Sequence, residues 1–462
     1  MREIFSEVNY RALWRKIWVS LAEAQFKYGL ISKEELADLK SKAGPEHVNI
    51  DRAHEIEKEI RHDLMAEVKA YAEQCPIGGG KIHLGATSMD VEDNADVLRI
   101  RAALDLILTR LVNCLDSLSD EILKYKGLPC MGWTHLQPAE PTTLGYRLAA
   151  YAQDLLSDIR IVEHLLKNFV KGKGIKGSVG TSASFQMLLE GKGKAAELEK
   201  QVMQKLGLEA YPIATQTYPR KLDYLVLSTL ASIAQSAHKF AVDLRHLQSP
   251  AYGEMSEPVK EKQVGSSAMP SKRNPITAER MCSLARYVAS LPRIAWENAA
   301  QTVFERTLDD SANRRLIIPE GFLATDECLL LYNYIVRGLR VHTAIVRRNL
   351  RRYGGYAGIE AILVKLVEKG EDRQKMHEKL RKISFKAWER LMSGEENPLQ
   401  SLLEKDETIR SKLDPEEIRE LLDPTRYVGD AEERCEKFVK KIVRPVLSKY
   451  EDRLTRKVDV KF

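Results

Sequence analysis

The sequence has no run of about 18 uncharged apolar residues, so its hydropathy argues against a membrane-spanning helix. Met1-Arg2-Glu3-Ile4-Phe5 is not a basic region followed by an apolar stretch, so a secretory leader is not expected from this sequence. Six cysteines (75, 114, 130, 282, 328, 435) are scattered, with no CxxC and no Cys/His cluster. That spacing argues against a zinc site and a disulfide framework, and reads as free thiols in a reducing cytoplasm. No low-complexity tract occurs, and nothing reads convincingly as a β-sheet. The net charge of +6 is spread along the chain and not gathered in a tail, so it does not indicate nucleic-acid binding. Simple solubility explains it as well as attraction of small anionic substrates does.

What is present is long helical periodicity. From Asp96 to Lys124, apolar residues fall at Val97, Ile100, Leu104, Leu108, Leu111, Leu115, Leu118 and Ile122. Steps of three and four place them on one stripe of a long helix. Lys221 to Gln248 is apolar on more of its surface, as expected for a helix central in a bundle or buried between subunits. Phe322 to Tyr353 repeats the pattern, and Gly354-Gly355 then stops it. With 462 residues, about three domains are expected. The fold class is read as all-α, with helical domains at 1–87, 88–341 and 342–462. The middle one is a bundle of very long helices, which points to an oligomeric core.

Between two of the long helices, residues 251–275 carry three prolines, two glycines and no periodicity. A loop of that length in a compact domain is commonly a lid or a disordered segment. Gly265-Ser266-Ser267 brings hydroxyls and free N–H groups, and Lys272 and Asn274 add a cation and an amide. These are parts able to hold a carboxylate and stabilise an oxyanion. Chemistry alone leaves a solvated linker equally open.

The run Gly265-Ser266-Ser267-Ala268-Met269-Pro270-Ser271-Lys272-Arg273-Asn274-Pro275 resembles the signature of the fumarase/aspartase superfamily, whose members release fumarate. His83-Leu84-Gly85-Ala86-Thr87-Ser88 and Gly132-Trp133-Thr134-His135-Leu136-Gln137-Pro138-Ala139 resemble two further blocks, in the expected order. Arg61-His62-Asp63-Leu64-Met65-Ala66, Thr215 to Arg220 and Phe304 to Arg315 look most like the adenylosuccinate lyase family, nearer its animal-type branch. The resemblance covers nearly the whole chain, to about residue 445.

That resemblance implies β-elimination of fumarate from adenylosuccinate to give AMP, and from SAICAR to give AICAR. It implies a homotetramer whose active sites are shared among chains, with no cofactor and no metal. By it, Ser266 is the base and His135 the acid; a histidine titrates near neutrality, which suits proton donation. A turn-capping histidine is the bland alternative for His135. Thr87 and Ser88 match carboxylate-binding residues, and Thr-Ser before a helix is also an ordinary N-cap pair. Arg61, His62 and Asp63 match nucleotide contacts, and Gln216 a succinyl contact. Lys272, Asn274, Arg280, Arg306, Ser311 and Arg315 match further substrate contacts, and His83 matches a motif histidine without a defined role. Without the family, Arg280 and Arg306 read as surface or salt-bridge residues.

One segment departs from the pattern. In the family a short Arg-Tyr pair precedes the block that Met1 to Ser6 resembles, and this chain opens at that block. Either the start lies upstream, or other cations hold the substrate phosphate. The rival readings are another fumarate-releasing enzyme, such as an argininosuccinate lyase, and a non-catalytic structural protein on the same scaffold.

Overall fold

A computed structural model describes residues 1–260, 268–269 and 271–455. Five helices dominate it: Ser88–Tyr125, Leu144–Asn168, Lys221–Gln248, Ile276–Gln301 and Ser311–Arg337. The first has 38 residues and so runs about 57 Å at 1.5 Å per residue. Its stripe from Val97 to Ile122 is buried at every predicted position. The Lys221–Gln248 helix buries Leu222, Val226, Leu230, Ile233, Ala237 and Phe240, while Leu225 is half-buried. The mostly helical architecture follows from this periodicity, since burial of such stripes, and not propensity, stabilises helices of this length.

Two expectations were too coarse. The pattern read from Phe322 to Tyr353 is two helices, Ser311–Arg337 and Thr343–Tyr353. Between them Arg340–Val341 pairs with Met255–Ser256 in a small antiparallel sheet. Gly338 is the point of close approach, where a Cβ would lie 2.6 Å from Cβ of Pro258. A second antiparallel pair, Pro129–Thr134 with Gln137–Thr143, also escaped the sequence reading. Prolines at 138 and 141 and glycine at 132 hide its alternation.

The backbone contacts gather in two compact units. One comprises Met1–Arg110, Asp158–Gln235 and Ser283–Leu329, and the other Leu111–Ser157, Ser236–Cys282 and Leu330–Phe462. In the first, the Glu7–Phe26 helix buries Trp14, Ile17, Trp18 and Leu21. Glu67 is buried there between Arg11 at 3.2 Å and Arg15 at 2.7 Å. In the second, short C-terminal helices close over Ile362, Leu366, Leu380, Leu403, Ile409 and Ile418. All six cysteines are free and buried. Among the described residues, no helix is long and apolar enough to cross a membrane.

Candidate active site

In the first unit the Ile50–Ile60 helix ends on Arg61, which takes a left-handed conformation at φ 53° and donates its N–H to Glu57. His62 then caps the Asp63–Gln74 helix, its Nδ1 accepting the Met65 N–H at 3.4 Å. Arg61 and His62 are exposed, and Asp63 accepts from Arg315 at 2.7 Å. Burial alone would raise the Asp63 carboxyl, but the Arg315 hydrogen bond and charge hold it below the usual range.

His83 is also left-handed, at φ 68°. Trp18 donates its indole N–H to His83 Nδ1 at 3.1 Å, so the neutral ring carries its proton on Nε2. Burial lowers the His83 pKa, and the charge of His62 lowers it further. Thr87 stands at the N-cap of the Ser88–Tyr125 helix, and its backbone N–H donates to Asp90 at 3.0 Å. Asp90 is fully buried and also receives Lys173 at 2.6 Å and the N–H groups of Lys176 and Gly177. The turn that presents Thr87 and Ser88 is therefore pinned from beneath.

Four further arginines and their acids lie in the same unit. Arg220 pairs with Asp93 at 3.0 Å and Asp310 at 2.7 Å, and Arg314 with Asp223 at 2.6 Å and Asp96 at 3.2 Å. Tyr218 bridges them, donating its hydroxyl to Asp223 and its N–H to Asp93 while accepting from Arg314. Arg306 reaches Asp310 at 2.9 Å, and Arg99 pairs with Asp96. Burial would raise the carboxyls of Asp96 and Asp310, but the surrounding guanidinium groups hold both low. Arg306 Nε has no hydrogen-bond partner among the described residues.

Asp93, Asp96, Arg99, Arg306 and Arg314 border a cavity of about 440 Å³. Of the residues expected from sequence, Asp63, Arg306, Ser311 and Arg315 line it; Arg61, His62, His83, Thr87, Ser88 and Gln216 of the same unit do not. Gln216 is half-buried and ties its N–H to the carbonyl of Glu305 at 3.3 Å. Arg220, Arg314 and Asp310 lie inside the family-like blocks Thr215 to Arg220 and Phe304 to Arg315, where the motif marks only their neighbours. Asp93, Asp96 and Asp223 carried no signal beyond being acids on long helices.

In the second unit His135 sits at the tip of the Pro129–Thr134/Gln137–Thr143 hairpin. Thr134 pairs with Gln137, leaving a two-residue turn in which His135 and Leu136 both have positive φ, 54° and 60°. That is the type I′ signature, normally filled by Asn-Gly. The hairpin is anchored below the tip, where the Trp133 ring packs edge-on against Tyr252 at 4.9 Å and Tyr353 at 5.6 Å. Tyr252 also donates its hydroxyl to the carbonyl of Leu136 at 3.2 Å. An exposed imidazole is thus held on a stiff, strained turn.

Both ends of the 251–275 segment are fixed within this unit. Glu257 accepts the N–H groups of Thr277 and Ala278 at the start of the Ile276–Gln301 helix, and Gln248 donates to the carbonyl of Arg273. Lys272 is exposed, Asn274 half-buried, and Arg280 exposed on the first turns of that helix. Ser266 lies outside the described residues, as do Gly265 and Ser267. Among the described residues no group of three or more His, Cys, Asp or Glu side chains is placed to hold a metal ion. Among the described residues six non-glycine ones have positive φ, including Arg61, His83 and His135. Left-handed strain of this kind gathers at functional positions.

A family model described as "Lyase" matches residues 7–289, and one described as "Adenylosuccinate lyase C-terminus" matches residues 359–438. The adenylosuccinate lyase of Saccharomyces cerevisiae is 40% identical over 98% of this chain and 94% of its own. That of Schistosoma mansoni is 40% identical over 97% and 93%. Among solved structures, the 3-carboxy-cis,cis-muconate lactonizing enzyme of Pseudomonas putida superposes with a TM-score of 0.83 at 26% identity, covering 98% of this chain and 97% of that one.

Proposed function

The chain belongs to the adenylosuccinate lyase family, and from that premise we propose that it eliminates fumarate from adenylosuccinate and from SAICAR, leaving AMP and AICAR. The observation that carries this reading is the 40% identity along nearly the full chain.

In the proposed reaction Ser266, as alkoxide, removes a proton from the succinyl carbon beside a carboxylate. The electron pair delocalises into that carboxylate, the neighbouring C–N bond breaks, and His135 protonates the departing nitrogen. A serine is a weak base in water, so Lys272 and backbone N–H groups are assigned to stabilise its alkoxide. Thr87, Ser88 and Gln216 are assigned to the succinyl carboxylates, with Asn274 and Arg280 as further substrate contacts. Arg61, His62 and Asp63 are assigned to the nucleotide, and His83 is kept as a motif histidine without a defined role.

The substrate phosphate is assigned to Arg306, Ser311 and Arg315, which share the first unit's cavity. Guanidinium forks suit a phosphate, and the unpartnered Arg306 Nε supplies a donor for one. The working molecule is proposed to be a cytoplasmic homotetramer with shared sites, its chain organised as 1–87, 88–341 and 342–462. Large apolar side chains left exposed on the long helices, Trp296 at 51% and Leu316 at 58%, support burial against another copy.

The test is an ultraviolet assay on purified protein offered adenylosuccinate and argininosuccinate separately. Cleavage of the first alone is expected. Cleavage of argininosuccinate alone would replace this reading by the rival lyase, and cleavage of neither would favour a non-catalytic scaffold.

A further inference from the structure

In the cavity of the first unit every arginine is already paired, and one acid is not. Arg315 has Asp63, Arg314 has Asp223 and Asp96, Arg306 has Asp310, Arg99 has Asp96, and Arg11 has Glu7 and Glu67. Glu92 lines the same cavity, is only 5% exposed, and makes no hydrogen bond or ion pair among the described residues. It projects from the Ser88–Tyr125 helix one residue before Asp93 and one turn before Asp96. A buried carboxylate with no partner is costly in its charged form, whereas a neutral carboxyl there offers one O–H donor and one acceptor.

We propose that Glu92 is a specificity-determining residue that meets the nucleotide part of the substrate as a neutral carboxylic acid, through a hydrogen bond inside this cavity. The proposal rests on the lyase reading above and concerns a residue that the family blocks do not mark. It follows from charge balance. The paired arginines leave little net positive field, so an ionised Glu92 would repel an anionic nucleotide, while the neutral form adds a donor without a charge.

The groups facing Glu92 agree with this state. Burial raises its carboxyl well above the ordinary value, Asp63 on the Asp63–Gln74 helix raises it further, and Asp96 and Asp93 on its own helix add to the effect. Arg315 on the Ser311–Arg337 helix opposes them without reversing the direction. From the Glu7–Phe26 helix Tyr10 feels its charge, while Arg11 there is taken up by Glu7, Glu57 and Glu67, and Glu7 also meets His54 of the Ile50–Ile60 helix at 2.7 Å. The neutral form prevails below the raised pKa. As pH rises through that value the charged form appears and binding of an anion weakens.

Steady-state kinetics on adenylosuccinate across the alkaline range test this with the parent, Glu92→Gln and Glu92→Ala. The parent KM is expected to climb as pH rises, while that of Glu92→Gln, which cannot ionise, stays flat. Glu92→Ala should raise KM by about tenfold at neutral pH with kcat within about twofold, reflecting a lost buried hydrogen bond. Calorimetry of AMP binding to the parent needs no variant: at alkaline pH, where the phosphate is already fully ionised, binding should take up a proton. Identical alkaline profiles for the parent and Glu92→Gln would overturn the inference, as would AMP binding without proton uptake. A parent that leaves adenylosuccinate uncleaved would instead be a failure of the lyase reading, and the AMP titration would still judge Glu92.

Discussion

Arg314 and Arg315 are neighbours in sequence and opposites in role. One residue along a helix is a rotation of about 100°, and here it carries Arg314 inward to a relative exposure of 7% while Arg315 keeps an exposed side chain at the cavity. Arg314 binds Asp223, Asp96 and Tyr218 together, so its loss strips the fully buried Asp223 of its guanidinium and leaves Asp96 with Arg99 alone. Arg314→Ala is expected to destabilise the protein by about 3–5 kcal/mol in urea unfolding, and Arg315→Ala by less than about 1 kcal/mol. Equal losses would mean that the network is not what holds this part of the first unit.

The same pair shows what could be read beforehand. The block from Phe304 to Arg315 was recognisable, and Arg306, Ser311 and Arg315 were picked out within it. Nothing in a single sequence says which arginine of a doublet faces the core, because that depends on the helical phase imposed by distant packing. Glu92 was invisible for a related reason: a glutamate on a long helix reads as a solvated residue until the unit around it is known.

Among the elements, long helices were legible and short strands were not. Steps of three and four persist over eight turns of the Ser88–Tyr125 helix, so the signal accumulates. The hairpin beneath His135 has strands of six and seven residues and a register shift between Met131 and Trp133. There a Cβ on Gly132 would lie 2.4 Å from the carbonyl oxygen of Glu140. His135 was found through its motif, while its left-handed turn had no signature because the sequence puts His-Leu where Asn-Gly is usual.

That turn makes a prediction of its own. A left-handed conformation costs a non-glycine residue about 1–2 kcal/mol, and glycine loses about 0.5–1 kcal/mol more in chain entropy on folding. Leu136 is 59% exposed, so Leu136→Gly sacrifices little packing. Its midpoint in urea unfolding is expected to stay within about 1 kcal/mol of the parent or to rise. A loss beyond about 2 kcal/mol would show that the Leu136 side chain, and not Trp133 below it, anchors the tip.

For the whole molecule, the proposed groups divide between two compact units. The first carries Asp63, Thr87, Ser88, Gln216, Arg306, Ser311 and Arg315, and the second carries His135, Lys272, Asn274 and Arg280. In a shared-site tetramer such a division is no obstacle, since different chains supply different parts. Light scattering is therefore expected to give a mass about four times 52.5 kDa, with specific activity falling on dilution below the assembly range. A fully active monomer would contradict the shared-site reading while leaving the reaction itself intact.

The most direct test of the central claim is the rate of fumarate release from adenylosuccinate by the parent, Ser266→Ala and His135→Ala, each checked for unchanged mass and melting temperature. The account predicts rapid release by the parent and a loss of at least about a hundredfold in each variant, the scale of removing a general acid or base. Full activity in Ser266→Ala would contradict the assigned base, and full activity in His135→Ala the assigned acid.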